Sequence, residues 1–432
     1  MNFYNLKHKE EQLNFKEATI KGQGKDKGLF FPEDISKFSN QFLKNLPNLS
    51  NEEIAFQVMK DFAGDEIPEA ELRKIVAETI AFEIPLKKVT ENISVLELFH
   101  GPTLAFKDVG ARFMSRCLGY FLKNETRKVT VLVATSGDTG GAVANGFYDV
   151  EGIEVVILYP KNRVSPVQEK QLTALGKNIH ALEVNGSFDD CQALVKQAFS
   201  DESLNEKLLL TSANSINVAR WLPQQIYYVL ALKQWLKNNS ENPVICVPSG
   251  NFGNICAGIL AHHRGLPVEH FIAACNVNDV VPEYLRTEIL QPKETVATIS
   301  NAMDVGDPSN FVRILELFDK EFNQVKNKLS GYTIDDEETL KTIERVEKDY
   351  GYVLDPHGAV AFVALEKYLT ENDGKGFFLE TAHPVKFPDS VEQATGKSVE
   401  IPKSLEELMK QEKFTTEINP QYEELKEFLL KK

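Results

Sequence analysis

The sequence predicts an α/β protein of two lobes, each an open parallel or mixed sheet covered by helices, with a further N-terminal lobe. Three observations carry that prediction. Strand-length runs that are apolar throughout (Val129–Ala134, residues 155–160, Ile179–Val184) alternate with helical stretches, the pattern of a parallel sheet covered on both faces. The same rhythm returns at residues 242–265 and 270–276, which suggests a second sheet. Glycine-bearing turns at residues 135–141 and 248–254 each stand between such a strand and a helix.

In chain order, residues 1–95 read as the N-terminal lobe, with amphipathic helices at 51–62 and 68–82. GQGKDKG at 22–28 lacks the spacing of a dinucleotide fingerprint, and no apolar strand precedes it. It reads as a loop before the buried-looking Leu29, Phe30 and Phe31. Residues 96–215 read as a smaller α/β lobe and residues 216–400 as a larger one. Within the larger lobe, helices are expected over 308–328, 335–349 and 357–369, then a late strand over 377–381. Residues 401–432 read as a tail of two surface helices.

With 42% apolar and 26% charged residues, the 432-residue chain has the composition of a globular protein with a sizeable core. A net charge of −15 argues against a nucleic-acid surface or an anionic membrane as partner. The five cysteines (Cys117, Cys191, Cys246, Cys256, Cys275) form no CxxC pair and no cluster with histidine, so no metal site is expected. Their scatter suits buried thiols in a reducing compartment. The charged N-terminus has no apolar signal core, and no run reaches a membrane span. The expectation is a cytoplasmic protein acting on a small molecule, as a monomer or homodimer.

Residues 98–112, LFHGPTLAFKDVGAR, place a lysine where it can react. Gly101 and Pro102 break an extended run, and Thr103 is positioned to cap the helix that follows. Lys107 then falls in the first turn of a helix striped by Phe106, Val109, Phe113, Met114, Cys117, Leu118 and Phe121. The positive end of a helix disfavours a second positive charge, which leans an amine held there towards its neutral, nucleophilic form. The ordinary reading of such a lysine is a solvated surface residue, and local pattern leaves both open.

Three polar clusters are suited to anions. PSGNFGN at 248–254 ends a buried strand and starts a helix, so backbone N–H groups of Gly250, Asn251, Phe252, Gly253 and Asn254 are expected to converge at a helix N-terminus. An ordinary βα turn of a parallel sheet, where glycines also occur, is the plain alternative. TSGDTGG repeats the arrangement with Thr135, Ser136, Gly137, Asp138 and Thr139, whose hydroxyls and amides suit a carboxylate or a second phosphate. Ser136, Asp138 or Thr139 could equally be helix caps. NSINVAR offers Arg220 as a bidentate fork for phosphate, with Asn214, Ser215 and Asn217 as neutral donors. A helix cap beside a surface arginine is the plain alternative. Glycine turns at the ends of parallel strands share one rim of a sheet, where ligands bind. A dianionic substrate plus a one-phosphate aldehyde cofactor would use all three clusters and the lysine, which makes pyridoxal 5'-phosphate the economical cofactor.

At these residues the chain resembles a known family. LELFHGPTLAFKD (96–108), ATSGDTG (134–140), TSANSIN (211–217), VPSGNFG (247–253), NVND (276–279), SNAMDV (300–305) and TAHPVKF (381–387) are similar to threonine synthases, and YNLKHKEEQLNF with GLFFPEDI resembles their longer bacterial and fungal class. The resemblance spans essentially the whole chain. It implies the tryptophan-synthase-β-like pyridoxal-phosphate fold. It also implies the last step of threonine biosynthesis, in which O-phospho-L-homoserine and water give L-threonine and phosphate. By the same resemblance Lys107 would be the Schiff-base lysine, the 250–254 loop would hold the cofactor phosphate, and Thr381 would face the pyridine nitrogen. Thr135, Ser136, Gly137, Asp138 and Thr139 would take the substrate carboxylate. Asn214, Ser215, Asn217 and Arg220 would take its phosphate. The alternative within enzymes is a related pyridoxal-phosphate-dependent hydroxyamino-acid dehydratase or lyase.

Overall fold

The computed structural model describes residues 1–123 and 128–431. These fall into two compact units. One holds residues 31–106 and 221–400 with Met1, and the other residues 2–30, 107–220 and 401–432.

The first unit is built on a six-stranded mixed sheet. Its order is Leu329–Thr333, His270–Cys275, Val244–Pro248, Gly376–Glu380, Ile93–Glu97, Leu86–Lys88. The first five strands run parallel and the short edge strand runs antiparallel to its neighbour. Val244–Pro248 is buried at every position, as a central parallel strand must be. The Pro356–Glu371 helix, buried continuously from Pro356 to Leu365, packs on this sheet, with Phe362 set edge-on to Phe378 at 5.6 Å. The Gln225–Trp235 helix is apolar nearly all round because it too is buried.

The second unit carries a five-stranded parallel sheet. Its order is Thr415–Ile418, Ile179–Val184, Ile153–Pro160, Val129–Ala134, Leu209–Thr211. Residues 1–95 supply both units. The hairpin of Asn2–Asn5 and Gln12–Asn14 leads into a helix whose Phe15 packs on Phe113 and Phe121, at 6.4 and 6.1 Å, within the second unit. The Asn51–Ala63 helix belongs to the first, where Asp61 pairs with the buried Arg264 at 2.7 Å.

Two stretches depart from their sequence reading. Helix was expected across 308–328, but it breaks into Phe311–Leu317 and Phe322–Lys328, and the strand Leu329–Thr333 follows. That strand contains Gly331, a weak strand former, because a Cβ there would lie 2.7 Å from Pro282 Cα. The tail has its two helices, Lys403–Lys410 and Tyr422–Leu430, yet between them Thr415–Ile418 pairs with Ile179–Val184. The loop at 22–28 closes through Gly24 N–H to the Gly28 carbonyl at 2.9 Å, and Leu29, Phe30 and Phe31 are buried. All five cysteines are buried and reduced. Among the described residues no helix is long and apolar enough to cross a membrane.

Candidate active site

The chain reaches Lys107 through a segment stitched to the strand end at Thr381. Gly101 accepts from Leu104 N–H at 3.0 Å, and Leu104 takes a left-handed φ of 57°. Ala105 and Ala382 form an antiparallel bridge, Phe106 N–H donates to the Thr381 carbonyl at 2.9 Å, and His383 N–H donates to the Leu104 carbonyl at 3.0 Å. The helix Lys107–Leu122 begins at the lysine itself. Lys107 therefore does stand in the first turn, half-buried. Thr103 is too far upstream to cap that helix. It is buried, and its carbonyl accepts from Lys386 Nζ at 2.8 Å.

In TSGDTGG the cap comes from a residue the sequence did not single out for it. Thr135 Oγ1 accepts from Gly137 N–H at 3.0 Å and Gly140 N–H at 2.8 Å, while Ser136, Asp138 and Thr139 do not cap the Asp138–Phe147 helix. Asp138 is buried and accepts from Gln168 Nε2 at 2.9 Å. Gly137 has a φ of 135°, a backbone conformation that favours glycine, and a Cβ on it would also press on the Gln168 side chain at 2.5 Å. Ser136 and Thr139, half-buried, are the hydroxyls left nearest the surface of this turn.

The Asn214 cluster divides in two. Asn217 is committed to the scaffold: its Nδ2 donates to the Thr19 carbonyl at 2.9 Å and the Ser212 carbonyl at 3.2 Å, and its Oδ1 accepts from Ala219 N–H at 3.0 Å. Asn214 and Ser215 are half-buried, and Asn214 Oδ1 accepts no hydrogen bond among the described residues. Arg220 is buried rather than on the surface. Burial pulls its guanidinium down to about 10, against the opposing pull of Asp108, so it stays charged at neutral pH.

Around 248–254 the loop is braced from within. Asn254 Nδ2 donates to the Pro248 carbonyl at 2.8 Å, its Oδ1 accepts from Ile255 N–H, and its carbonyl accepts from Tyr228 OH. The Asn254 side chain thus closes the loop. Phe252, at a left-handed φ of 61°, turns the chain into the Gly253–His263 helix and packs edge-on to Phe311 at 5.6 Å. Alternation of right- and left-handed residues at a helix start gathers successive N–H groups into a concavity, and the first-turn N–H groups have no partner inside the helix. The loop therefore fits a phosphate. Thr381, the candidate for the ring nitrogen, is buried at the end of the strand Gly376–Glu380.

Sequence reading gave no role to the residues that back this loop, although Met303 lies in the SNAMDV motif. Asn251 Oδ1 accepts from both Ser309 N–H (2.8 Å) and Ser309 Oγ (2.7 Å), and Asn310 N–H donates to the Asn251 carbonyl at 3.3 Å. Met303 lies so close that a Cβ on Gly250 would come within 2.6 Å of its Cα. Behind it stand Asp355, His357 and Glu380. Asp355-Pro356, an N-cap residue before a helix-starting proline, left a local trace in the sequence.

Three family descriptions match the chain in succession. Threonine synthase N terminus matches residues 2–80, pyridoxal-phosphate dependent enzyme residues 80–376, and threonine synthase, C-terminal, residues 358–429. The chain belongs to the threonine synthase family. Threonine synthase from Haemophilus influenzae is 46% identical over 431 residues, spanning 100% of both chains. The crystal structure of threonine synthase from Escherichia coli superposes with a TM-score of 0.93 at 44% identity, covering 100% of both chains. That of pyridoxal-phosphate-bound threonine synthase from Brucella melitensis gives 0.93 at 35% identity, covering 99% of this chain and 98% of that one. Pyridoxal 5'-phosphate is accordingly the cofactor of this threonine synthase family member.

Proposed function

We propose that the chain converts O-phospho-L-homoserine and water to L-threonine and phosphate, with Lys107 as the Schiff-base lysine. The observation that carries this reading is the Phe106–Thr381 hydrogen bond. It pairs the backbone of the residue before Lys107 with that of Thr381, the residue suited to the ring nitrogen.

Backbone N–H groups of Gly250, Asn251, Phe252, Gly253 and Asn254 would hold the cofactor phosphate. Bound pyridoxal phosphate supplies an electron sink that makes the protons at Cα and Cβ of the substrate removable. Lys107 Nζ would take those two protons and return one at Cγ and one at Cα, while water adding at Cβ would supply the hydroxyl and its remaining proton would balance the released phosphate. Ser136, Thr139 and the Asp138 N–H group receive the substrate carboxylate, with Thr135, Gly137 and Asp138 holding the turn in shape. Arg220, with Asn214 and Ser215, stabilises charge growing on the leaving phosphate, and Asn217 fixes the backbone that presents them. A neutral Thr381 hydroxyl cannot retain a proton on the ring nitrogen as a carboxylate would.

The enzyme is further read as cytoplasmic and as a monomer or homodimer, without nucleic-acid partners. The five reduced, buried thiols and the net charge of −15 support this. Borohydride reduction of the yellow enzyme followed by peptide mapping should place the label on Lys107. Phosphate and threonine should form from O-phospho-L-homoserine. Release of a 2-oxo acid from serine or threonine, with no turnover of the phosphate ester, would instead establish the dehydratase reading.

A further inference from the structure

Beneath the strand end that carries Thr381 lie two carboxyl groups with no solvent exposure, Asp355 and Glu380. Their hydrogen bonds leave one oxygen on each unaccounted for. Glu380 Oε1 accepts from Asp355 N–H at 2.7 Å. Asp355 Oδ1 accepts from His357 N–H at 2.7 Å and meets His357 Nδ1 at 2.6 Å. Asp355 Oδ2 and Glu380 Oε2 are buried, and neither has a hydrogen-bond partner among the described residues when both are treated as bare acceptors. Two ionised carboxylates buried together and joined through the Asp355 N–H repel, whereas one carboxyl proton between them would satisfy both orphaned oxygens.

The histidine shows which way the chain of bonds runs. Ala302 N–H donates to His357 Nε2 at 3.1 Å, so that nitrogen offers its lone pair and the ring hydrogen sits on Nδ1, donating to Asp355. Ala302 belongs to the segment pressed against Gly250: a Cβ there would lie 2.6 Å from Met303 Cα and 3.0 Å from the Ala302 carbonyl oxygen. A line of bonds therefore runs from Glu380, the neighbour of Thr381, through Asp355 and His357 to the wall of the 250–254 loop. Gly358 is part of the arrangement, since a Cβ on it would overlap Glu380 Oε2 at 1.6 Å.

We propose that Glu380 and Asp355 share one proton and, through His357, act as positioning residues that hold residues 300–303 against the 250–254 loop. The positioning half rests on the reading of that loop as the phosphate site; the shared proton does not. Burial, with the neighbouring charge of Asp355 adding to it, pushes the Glu380 carboxyl well above the usual carboxylate range. The other charged groups around the pair are accounted for. Glu97 opposes ionisation of Glu380, but it is itself kept low, despite burial, by His100, Lys87 and the Tyr352 hydroxyl. His383 is pushed down to about 4 by burial, reinforced by His100, so it brings no positive charge to the pair at neutral pH. Asp304 is raised by burial, and Thr298 and Asn276 hydrogen-bond to it.

Glu380→Gln tests the proton, because an amide reproduces a neutral carboxyl: its oxygen accepts from Asp355 N–H and its NH2 donates to Asp355 Oδ2. An infrared difference spectrum at pH 7, wild-type holoenzyme minus Glu380→Gln, should show one carboxylic-acid carbonyl band that moves to lower frequency in heavy water. Absence of that band overturns the shared proton. Phosphorus NMR of the bound cofactor tests the positioning. His357→Leu should move the phosphorus resonance and weaken cofactor binding about tenfold, the scale of one lost buried acceptor. Glu380→Gln should keep the resonance in place, and His357→Gln, which restores an acceptor for Ala302 N–H, should bring it back. A wild-type resonance and affinity in His357→Leu overturns the positioning, as does a loss in Glu380→Gln equal to that in His357→Leu. A carboxylic-acid band in a protein that binds no pyridoxal phosphate would uphold the shared proton while overturning the reading of the site and, with it, the positioning.

Discussion

A methyl group on Gly110 would stand 2.6 Å from the carbonyl oxygen of Arg220 and 3.2 Å from its Nε. Gly110 lies one helical turn beyond Lys107, and the Lys107–Leu122 helix can pass the arginine only because that position has no side chain. The lysine's helix and the guanidinium suited to the substrate phosphate are thus set by one close approach. Gly110→Ala should cost about 1–3 kcal/mol of stability, the scale of overpacking a tight site. It should lower kcat/KM for O-phospho-L-homoserine more than it weakens pyridoxal-phosphate binding. Chemical melts, cofactor titration and steady-state rates on the one variant check all three.

Gly250→Ala should separate the other way. Its Cβ would be driven to 2.6 Å from Met303 Cα, where the obstacle is backbone and cannot swing aside. The loop must move away from the wall that braces it, so cofactor affinity should fall by about tenfold or more, at an overpacking cost of about 1–3 kcal/mol. Absorbance titration of the apoenzyme with pyridoxal phosphate measures this directly.

Buried imidazoles shape the acid limb of stability, and His262, lowered by burial, shares the direction of the three most shifted. Burial pushes His263, His270 and His383 down to about 4. Each stays neutral in the folded protein but binds a proton in the unfolded chain near pH 6.5, so between those values the unfolded state holds more protons. Stability should therefore be full above about pH 6.5 and fall progressively as pH drops towards about 4. Urea midpoints taken at intervals across that range give the slope. In His270→Gln, whose parent ring stacks on Tyr368 at 5.1 Å and meets Ser330 Oγ at 2.8 Å, the slope should be shallower.

The thiols should be silent in the native protein. All five are buried, and burial pushes Cys191 and Cys256 up to about 12. A disulfide reagent at pH 8 should release almost no chromophore from the folded enzyme and five equivalents in guanidinium chloride. Rapid reaction of even one thiol in the native state would contradict the burial.

Local chemistry made much of this protein readable from its sequence. Apolar runs such as Val129–Ala134 and Val244–Pro248 announce central parallel strands, because a strand covered on both faces has no polar side to show. Lys107 was placed in a first helical turn by the spacing of Val109, Phe113, Met114 and Phe121, and the phosphate loop by its glycines between strand and helix. Such features depend on neighbours a few residues away. What only the tertiary structure decided are pairings between distant residues: Phe106 with Thr381, Gly110 with Arg220, Asp355 with Glu380, and Thr415–Ile418 as a strand rather than a surface linker. Periodicity carries no information about which remote group will satisfy a buried donor or fill the space above a glycine. Those choices are made when burial removes water as the alternative partner, and they turned Arg220 from an apparent surface residue into a buried charge.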